Sequence, residues 1–534
     1  MSNIQVLDCT LRDGGYINNW QFGEKTIKGV VKDLADAKVD VIEIGFLTDL
    51  PRTSNHSLFN STAELLPVTQ NKGGSLVAGM IALDEKEMNP LSLDDSKTTG
   101  VDIVRLTFHN SASKIERAIS FAKILMGKGY KVCMQPVGTT TYSDEELVSL
   151  IKQINKLNPY AFYLVDTLGT LYEDRLMHFV DLIDSNLNPE IKIGFHSHNN
   201  LQMSFANSQK IVNLDSKRNF VIDSSLYGMG RGAGNLCTEL IVRYLNECGK
   251  GNYDLVPVLD AIDNYIYPIS LKMPWGYNAH YYMSAIYGCH PNYASYLMNL
   301  QTLTMNEVNT ILQSLPKDRR HLFDKKLIEK LYLDFQNSNS KNTAPALNEN
   351  INSSEVLLIA PGYSATEKVN EINDYINKNH PVVIAVNFMP NNIPVHYVFI
   401  SNRKRFASSD FKNINAQVIA TTNVPSDAKN IIYVDYDDLC DAKYNQPDNA
   451  GMMALRLLLK LKIKKAVLAG FDGFSANAKQ NYYDETITDH NTKQTADEKN
   501  VDYAKQLADI AKNLSIEFLT PSIYKDIIDG KTKI

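Results

Sequence analysis

The sequence predicts an α/β protein that combines a (β/α)8 TIM barrel, a helical extension of that barrel and a smaller, doubly wound α/β domain. Three features lead to this expectation. Eight short apolar or β-branched runs alternate with helix-length segments over roughly the first half of the chain. Polar side chains come after most of these runs, as they do at the mouth of a parallel barrel. A stretch rich in Asn and Ser then precedes a second series of apolar strands.

The domain boundaries correspond to these changes in composition. We expect a barrel over residues 1–250, its helical extension over 251–335, a flexible linker over 336–354 and a Rossmann-like domain over 355–534. The linker has too few large apolar side chains to offset the entropy lost on ordering. A chain of 534 residues also exceeds what one hydrophobic core usually organises.

The composition predicts a cytoplasmic protein that acts on small molecules. The formal net charge is −6, and no long Lys/Arg block favours a nucleic-acid or membrane partner. Six cysteines are scattered without a CxxC pair, which suits reduced thiols. The first ten residues lack a basic-then-apolar signal, and no apolar run approaches a membrane span. The sequence leaves a homo-oligomer open.

The barrel expectation depends on the strand runs and on the polar residues at their ends. The eight strand runs are IQVLD, VDVIEIGF, SLVAGMI, VDIVRLTF, KVCMQPV, AFYLVD, IKIGFH and NFVIDSSL. An open doubly wound sheet has the same periodicity. The barrel is favoured because the carboxyl ends of its strands converge on one mouth, which would gather the polar residues. Those residues are Asp8, Arg12, Asp13, Glu43, Arg105, His109, Asp166, Thr167, His196 and His198.

The stretch "GFHSHNNL", residues 194–201, is a candidate metal site. His196 and His198 are two apart in an extended strand, so both imidazoles project from one face and can reach one ion. The simpler alternative is that they bond each other or nearby carbonyls. A carboxylate at another strand end would complete a site for a divalent cation. Asp13 is the favoured carboxylate, while Asp8 is expected to hold Arg12 or the backbone.

The stretch "SLYGMGRGAGNL", residues 225–236, is a glycine-rich loop after the eighth strand. Its glycines allow positive φ and a close approach of the backbone to a ligand, and we expect Gly230 and Gly232 to lie against the substrate. A GxGxxA dinucleotide motif fits poorly, because the loop closes a run of βα units and does not open one. Asn235 is either a carbonyl ligand to the metal or a helix N-cap.

Three motifs, "DCTLRDGGY", "GFHSHNNLQMSFANS" and "GMGRGAGNLCTE", resemble the metal-dependent aldolases and lyases. This superfamily includes hydroxymethylglutaryl-CoA lyase, isopropylmalate synthase and 4-hydroxy-2-oxovalerate aldolase. The likeness is greatest to the 4-hydroxy-2-oxovalerate aldolase branch and extends through "PWGYNAHYYMSAIYGCHPNYA", residues 274–294.

The resemblance implies a carbon–carbon lyase that forms or cleaves a 2-oxo acid through a pyruvate enolate, with an aldehyde as the other partner. Its metal ligands fall on Asp13, His196 and His198, with Asn235 added in some members, and its catalytic arginine falls on Arg12. Mn²⁺ or Mg²⁺ suits this mixed set of ligands, and Zn²⁺ is the alternative.

The general base is where the chain departs from the pattern. The aldolase branch has a histidine where Tyr16 stands, and a tyrosine with an ordinary pKa near 10 is a weaker base at neutral pH. Tyr281, with its neighbours His280 and Tyr282, is the other candidate, although plain helix packing would also explain this stretch. The remaining residues expected to contact or frame the substrate are Glu43, Arg105 and His109.

The second domain is expected to bind a nucleotide or nucleotide-sugar. Its predicted strands are EVLLIAPG, HPVVIAVNF, PVHYVFISN, AQVIATTN, NIIYVDY and KKAVLAGFDGF, which distantly resemble sialyltransferase-like and related nucleotide-binding domains. "APGYSATE", residues 360–367, could open a helix that receives phosphate. Asn387, Asn402 and Asp472 would line the cleft. The alternative is a domain that only dimerises the enzyme or covers the barrel.

Two other functions stay open for the whole chain. One is a Claisen-type condensation with an acyl-CoA, although no CoA site is recognisable. The other is a glycosyltransferase-like or binding protein whose barrel is inactive. The presence of all five motif residues favours an active barrel; they are Arg12, Asp13, His196, His198 and Asn235.

Overall fold

The structure is a computed structural model. It describes residues 4–83, 85–337, 351, 355–408, 411, 414–424, 431–475, 477, 481 and 493–528. Most of the predicted linker, 338–350 and 352–354, lies outside the described residues.

The chain divides into two compact units, which are described separately. The first unit comprises Met1–Tyr296 and Leu312–Lys325, and the second comprises Leu297–Ile311 and Lys326–Ile534. The segment predicted as one helical extension, 251–335, is therefore shared between the units.

The first unit contains a closed barrel of parallel strands, which confirms the predicted (β/α)8 fold. Its strands are β1 (Ile4–Asp8), β2 (Val41–Leu47), β3 (Leu58–Phe59), β4 (Leu76–Ala82), β5 (Ile103–Phe108), β6 (Lys131–Pro136), β7 (Ala161–Asp166), β8 (Lys192–Ser197) and β9 (Phe220–Ser224). The first strand pairs with both β2 and β9, and this double pairing closes the sheet. The two-residue strand β3, which the sequence did not predict, pairs only with the end of β2.

Helices surround the barrel because each presents an apolar stripe to the strands. In the helix Glu24–Asp36 the buried residues Ile27, Val30, Val31 and Leu34 recur at helical spacing. The helix Asp144–Leu157 begins with a capping box, in which Ser143 and Glu146 bond each other's backbone N–H. The helices after the strands are Glu24–Asp36, Thr62–Thr69, Ser96–Thr99, Ala112–Gly127, Asp144–Leu157, Glu173–Asn186, Ser204–Val212 and Thr238–Glu247.

Further helices flank this core. Two short helices, Thr10–Asp13 and Gly15–Asn18, come directly after β1. The helices that come after the barrel in the chain are Leu255–Ala261, Tyr267–Ser270, Ala279–Ile286, Pro291–Leu300, Met305–Ser314 and Lys325–Asn337. Over the described residues, no helix combines the length and the apolarity needed to cross a bilayer.

The second unit contains a parallel sheet with strand order β14-β13-β12-β11-β10-β15-β16. Its strands are β10 (Glu355–Ile359), β11 (Val382–Val386), β12 (Tyr397–Ile400), β13 (Gln417–Thr421), β14 (Ile431–Val434), β15 (Lys465–Ala469) and β16 (Ser515–Phe518). Its helices are Ser364–Glu367, Val369–Asn379, Arg403–Ser408, Ala450–Lys460, Lys493–Ala511 and Lys525–Ile528.

Both faces of this second sheet are covered. Val356 and Leu358 of β10 pack in one apolar cluster, whereas Leu357 and Ile359 pack in another. Because alternate side chains of a strand point to opposite faces, two clusters require helices on both sides. The doubly wound fold is confirmed. The sequence missed only β16, whose run "SIEF" is short and half polar.

Candidate metal centre

The two-residue period of the barrel strands places a group of charged side chains inside the barrel. On β2, Ile42 and Ile44 belong to the outer apolar layer, so Glu43 between them points inward. The same alternation turns Arg105 of β5 inward from between Val104 and Leu106. Of the buried charged residues on these strands, those that the alternation turns inward are Glu43, Arg105, His196 and Asp223.

The first half of this group is a row of alternating charges. Arg12 donates from Nη1 to Asp13 Oδ1 over 2.5 Å and from Nε to Glu43 Oε2 over 2.9 Å. Glu43 Oε2 also accepts from Arg105 Nη1 at 2.6 Å. Glu43 and Arg105 are completely buried. Since an unpaired buried charge is costly, each of these groups depends on its neighbour.

The second half of the row reaches a histidine. Arg105 also donates from Nη2 to Asp223 Oδ2, and the same oxygen accepts from His196 Nδ1 at 2.9 Å. A carboxylate can only accept, so His196 carries its proton on Nδ1 and keeps Nε2 for another partner. We call these six residues the buried charge chain: Asp13, Arg12, Glu43, Arg105, Asp223 and His196.

The two ends of the buried charge chain, Asp13 and His196, meet at the predicted metal site, where His198 joins them. Single ligand atoms from Asp13, His196 and His198 lie within 4.8 Å of one another, and all three residues are buried. The two imidazole rings are 5.2 Å apart, and His198 Nδ1 is 3.9 Å from Asp13 Oδ2. The alternative in which the histidines serve only each other does not explain this carboxylate beside them.

The protonation states suit metal ligation. Burial would raise the pKa of Asp13, but Arg12 and the two histidines hold it below its usual range. Burial lowers the pKa of His198 to about 3, against the opposing pull of Asp13. The carboxylate is therefore charged and His198 is neutral at pH 7, which are the forms that bind metals.

The glycine-rich loop brings Asn235 to the same place. Asn235 forms an isolated β-bridge with His198, and its Nδ2 donates to Asp13 Oδ2 at 2.8 Å. The next helix starts at Thr238 with Cys237 at the N-cap, so the N-cap alternative for Asn235 is wrong. A Cβ on Gly230 would lie 2.4 Å from Asn235 Nδ2 and 2.9 Å from Asp13 Oδ2. Only glycine allows this approach.

The donor set fits a divalent cation. His198 Nδ1 and Asn235 Oδ1 are buried polar atoms without a hydrogen-bond partner among the described residues. Buried polar atoms of native proteins are normally bonded, so these two indicate a missing partner. Two imidazoles, a carboxylate and an amide oxygen are a mixed set that Mn²⁺, Mg²⁺ or Zn²⁺ accepts.

Other residues predicted to bind substrate or transfer a proton have contacts within the protein. Glu43 and Arg105 have no exposed surface, so neither side chain reaches a substrate. They instead hold the buried charge chain together beneath the site. Gly232, at φ +67°, lies against Asn200, where a Cβ would come within 2.6 Å of Oδ1. Tyr281 accepts a hydrogen bond from Ser295 at 3.2 Å, within the helices that come after the barrel.

Tyr16 is near the site but is protonated at neutral pH. Burial raises the pKa of Tyr16 above its ordinary value, against the effect of Arg231. The Arg231 guanidinium lies 5.3 Å from the centre of the Tyr16 ring, and Lys86 Nζ lies 5.5 Å from it. His109, just after β5, lies 3.5 Å from Glu85.

Arg231 and His290 are site residues that the sequence analysis did not single out. Arg231 Nη1 is 3.3 Å from His290 Nε2, and the Asn292 N–H points at the other ring nitrogen of His290 at 3.2 Å. Burial, Arg231 and His198 hold the pKa of His290 well below its ordinary value. The arginine of "GMGRGAG" and the histidine of "GCHPNY" both fall inside the motifs that carry the resemblance, which was the available signal.

The first unit is thus a parallel (β/α)8 barrel whose mouth carries a buried aspartate, two histidines and an arginine, arranged as in a metal-dependent enzyme. Comparison with known proteins makes this class specific. Residues 3–263 match the family model described as HMGL-like. This part of the chain is therefore similar to that family.

The curated relatives of this domain are lyases and aldolases. A 4-hydroxy-2-oxovalerate aldolase of Geobacillus genomosp. 3 is 28% identical over 274 residues, which cover 50% of this chain and 77% of the relative. An oxaloacetate decarboxylase of Mycobacterium tuberculosis is 26% identical over 264 residues, which cover 48% of this chain and 74% of the relative. Among solved structures, the N-terminal domain of a candidate aldolase from Bacteroides vulgatus is 27% identical with a TM-score of 0.49. That match covers 58% of this chain and 100% of the other.

Proposed function

We propose that the first unit is a divalent-metal-dependent carbon–carbon lyase that acts on a 2-oxo acid through a pyruvate enolate. The observation that carries this proposal is the pairing of Arg12 with Asp13 beside two buried histidines. The names of both curated relatives contain a 2-oxo acid, 4-hydroxy-2-oxovalerate or oxaloacetate.

Asp13, His196, His198 and the amide oxygen of Asn235 would hold the cation. Bound there, a divalent ion supplies a Lewis acid for a ketone oxygen. The protein fixes its ligands from below, because Asp223 orients His196 and Arg12 orients Asp13. Fixed ligands keep the substrate oxygen in one place, which is the contribution of the barrel.

Arg12 would stabilise the negative charge that develops on the enolate. Its bonds to Asp13 and Glu43 use two of the five N–H donors of a guanidinium. Burial would lower the pKa of Arg12, but Glu43 and Asp13 raise it, so the side chain is a permanent cation. A cation held rigidly in a dry site stabilises a developing oxyanion without reorganisation.

The proton-transfer step distinguishes two reactions of this enolate. Aldol cleavage needs a base for the substrate hydroxyl, and the raised pKa of Tyr16 keeps this residue at neutral pH in its protonated form, which cannot take up that proton. Decarboxylation of a 2-oxo acid with a second carboxylate yields the same enolate and needs no such base. Loss of CO₂ is therefore the second candidate, and the Tyr16 environment is the observation that favours it.

The shared enolate chemistry is tested by hydrogen exchange. The purified full chain is stripped with a chelator, supplied with Mn²⁺, Mg²⁺ or Zn²⁺, and incubated with pyruvate in D₂O. We expect the methyl proton signal of pyruvate to decay in the NMR spectrum only when protein and metal are both present. Incubation with oxaloacetate or a 4-hydroxy-2-oxo acid then separates CO₂ release from aldehyde release.

A matched pair of histidine variants controls the experiment. His198→Ala removes a proposed ligand, whereas His178→Ala removes an exposed histidine that bonds Asp144. Exchange should vanish in the first variant and persist in the second. The proposal would be excluded if pyruvate methyl exchange were no faster with the protein than with free metal. It would also be excluded if both variants exchanged at the same rate.

A further inference from the structure

The second unit contains a cavity of about 190 Å³ at the carboxyl ends of β10, β11, β12 and β15. Its described lining residues all belong to this unit. In the sheet, β10 lies between β11 and β15, and the strands that come after β10 run first to one side and then to the other. A parallel sheet opens a crevice where its strand order reverses, and ligands of such folds bind there.

The helix turn predicted to receive phosphate is already occupied. Asp472 Oδ2 accepts from the Ser364 N–H at 2.7 Å, and its other oxygen accepts from the Ser364 hydroxyl. The helix Ser364–Glu367 has only four residues. Because a carboxylate already holds this N-terminus, the expectation of phosphate at "APGYSATE" is wrong, and an anion must be held elsewhere in the cavity.

Two cationic side chains line the cavity. Arg405 and Lys499 are half-buried in the cavity wall, and the first turn around Arg405 is fixed by Asn402, whose Oδ1 accepts the Arg405 N–H at 3.0 Å. The acids of the wall are committed to internal donors. Asp472 holds Ser364, and Asp448 accepts the hydroxyls of Tyr332 and Tyr436.

Flat aromatic surfaces form another part of the wall. Phe471 and Tyr503 are buried, and the Phe474 ring lies 5.2 Å from that of Tyr503. Lys499 Nζ lies 5.0 Å from the centre of the Phe474 ring, so a cation and an aromatic face meet at one spot. Heteroaromatic bases stack on such rings, while a phosphate binds the adjacent cation.

Carboxamides complete the cavity. Asn387 has a left-handed backbone with φ +58°, and its Oδ1 accepts from the N–H groups of Ser401 and Asn402 at 3.0 and 3.3 Å. These bonds fix the orientation of the side chain. Fixed carboxamides donate and accept hydrogen bonds, as recognition of a base edge requires.

We propose that this cavity binds a mononucleotide, with its base against the aromatic wall and its phosphate at Arg405 and Lys499. The cavity is smaller than the roughly 300–1,000 Å³ typical of pockets for drug-sized ligands, so it is too small for a dinucleotide. The site is separate from the barrel, and its occupation does not depend on the proposed lyase activity.

Isothermal titration of the full chain with UMP, CMP and AMP tests this site. We expect at least one mononucleotide to bind with a micromolar Kd, at least tenfold more tightly than inorganic phosphate, its nucleoside or NAD. Arg405→Gln and Lys499→Met should each weaken that binding about tenfold, since each removes a charge-assisted contact. The control Lys378→Met changes an exposed lysine of the helix Val369–Asn379 and should leave the Kd unchanged.

Three outcomes would overturn the proposal. One is that no mononucleotide binds more tightly than millimolar. Another is that inorganic phosphate binds as tightly as the nucleotides, which would make the cavity an anion site. The third is that both cavity variants, with wild-type circular dichroism spectra, retain the wild-type Kd.

Discussion

The barrel mouth and the cavity of the second sheet occupy the same position in their folds, the carboxyl edge of parallel strands, but they hold charge differently. In the barrel, the members of the buried charge chain are almost completely shielded from water and bond one another in alternation. In the second unit, Arg405 and Lys499 are half-buried and spread along a wall.

This difference decides how each region responds to change. A buried charge has no water to replace a lost partner, so removing one member of a pair leaves the other uncompensated. A half-buried charge keeps part of its hydration and loses little when a neighbour changes. We therefore expect large, specific effects in the barrel and graded effects in the second unit.

The largest effect is expected from Arg12→Lys. The variant keeps the positive charge but loses the planar fork that bonds Asp13 and Glu43 together. The rate of pyruvate methyl exchange should fall by about 10²–10³-fold, as for the loss of one donor to an oxyanion, while the melting temperature moves little.

The matched control is Arg117→Lys, at an exposed arginine that bonds Glu87. It should exchange at the wild-type rate, and Arg12→Lys should leave nucleotide titration of the second unit unchanged. An Arg12→Lys protein with wild-type exchange, or one that no longer folds, would show that Arg12 has no specific chemical role.

Asp223→Asn is expected to have the next largest effect. The carboxylate that accepts from His196 Nδ1 and from Arg105 becomes an amide, so His196 loses its orienting acceptor. Metal affinity, measured by titration of the stripped protein with Mn²⁺, should fall about 10–100-fold.

Asp184→Asn is the control for that substitution, because Asp184 pairs with Arg218 and is partly exposed. Equal Mn²⁺ affinity in Asp223→Asn and wild-type protein would contradict the role of the charge chain in holding His196.

The two regions also differ in how far their sequences reveal them. The metal ligands could be predicted from local sequence. His196 lies in β8 and His198 comes directly after it, while Asp13 comes shortly after β1 in a motif rich in charged residues and glycine. Asp223 could not, because its partner Arg105 is 118 positions away and only barrel closure brings them together. The burial of Glu43 was hidden for the same reason, so that residue was interpreted as a substrate contact.

In the second unit the strands were predictable from apolar runs, but the state of the first turn was not. "APGYSATE" has the composition of an anion-binding turn, yet Asp472 fills it from the segment after β15, more than 100 residues later. Local sequence identifies a group that can bind an anion, whereas tertiary structure decides which anion reaches it.

The smallest effect is a pH dependence at Asp8, the last residue of β1. Burial raises the pKa of Asp8 to about 6, against hydrogen bonds from Thr238 and Thr10. The native carboxyl thus holds a proton that the unfolded chain releases near pH 4. Its contribution to stability is complete below pH 4 and is lost as pH rises through 6.

Asp8→Asn should remove this contribution. The free energy of unfolding of the wild type, minus that of the variant, should therefore fall by about 1–3 kcal/mol between pH 4 and pH 7. Urea unfolding monitored by tryptophan fluorescence measures it for the barrel alone, because both tryptophans, Trp20 and Trp275, belong to the first unit. A difference that is constant with pH would mean that the Asp8 pKa is not raised.

The buried charge chain also constrains the folding of the barrel. Arg12, Glu43 and Arg105 are synthesised long before Asp223, and Asp13 precedes its partner Asn235 by 222 positions. Until the last strand docks, Arg105 lacks one of its two carboxylates, and burying it in that state would cost several kcal/mol. A nascent barrel without β9 therefore keeps its interior open to water. We therefore expect a chain that ends before Asp223 to bind Mn²⁺ more weakly than the full chain, because His196 then lacks its orienting carboxylate.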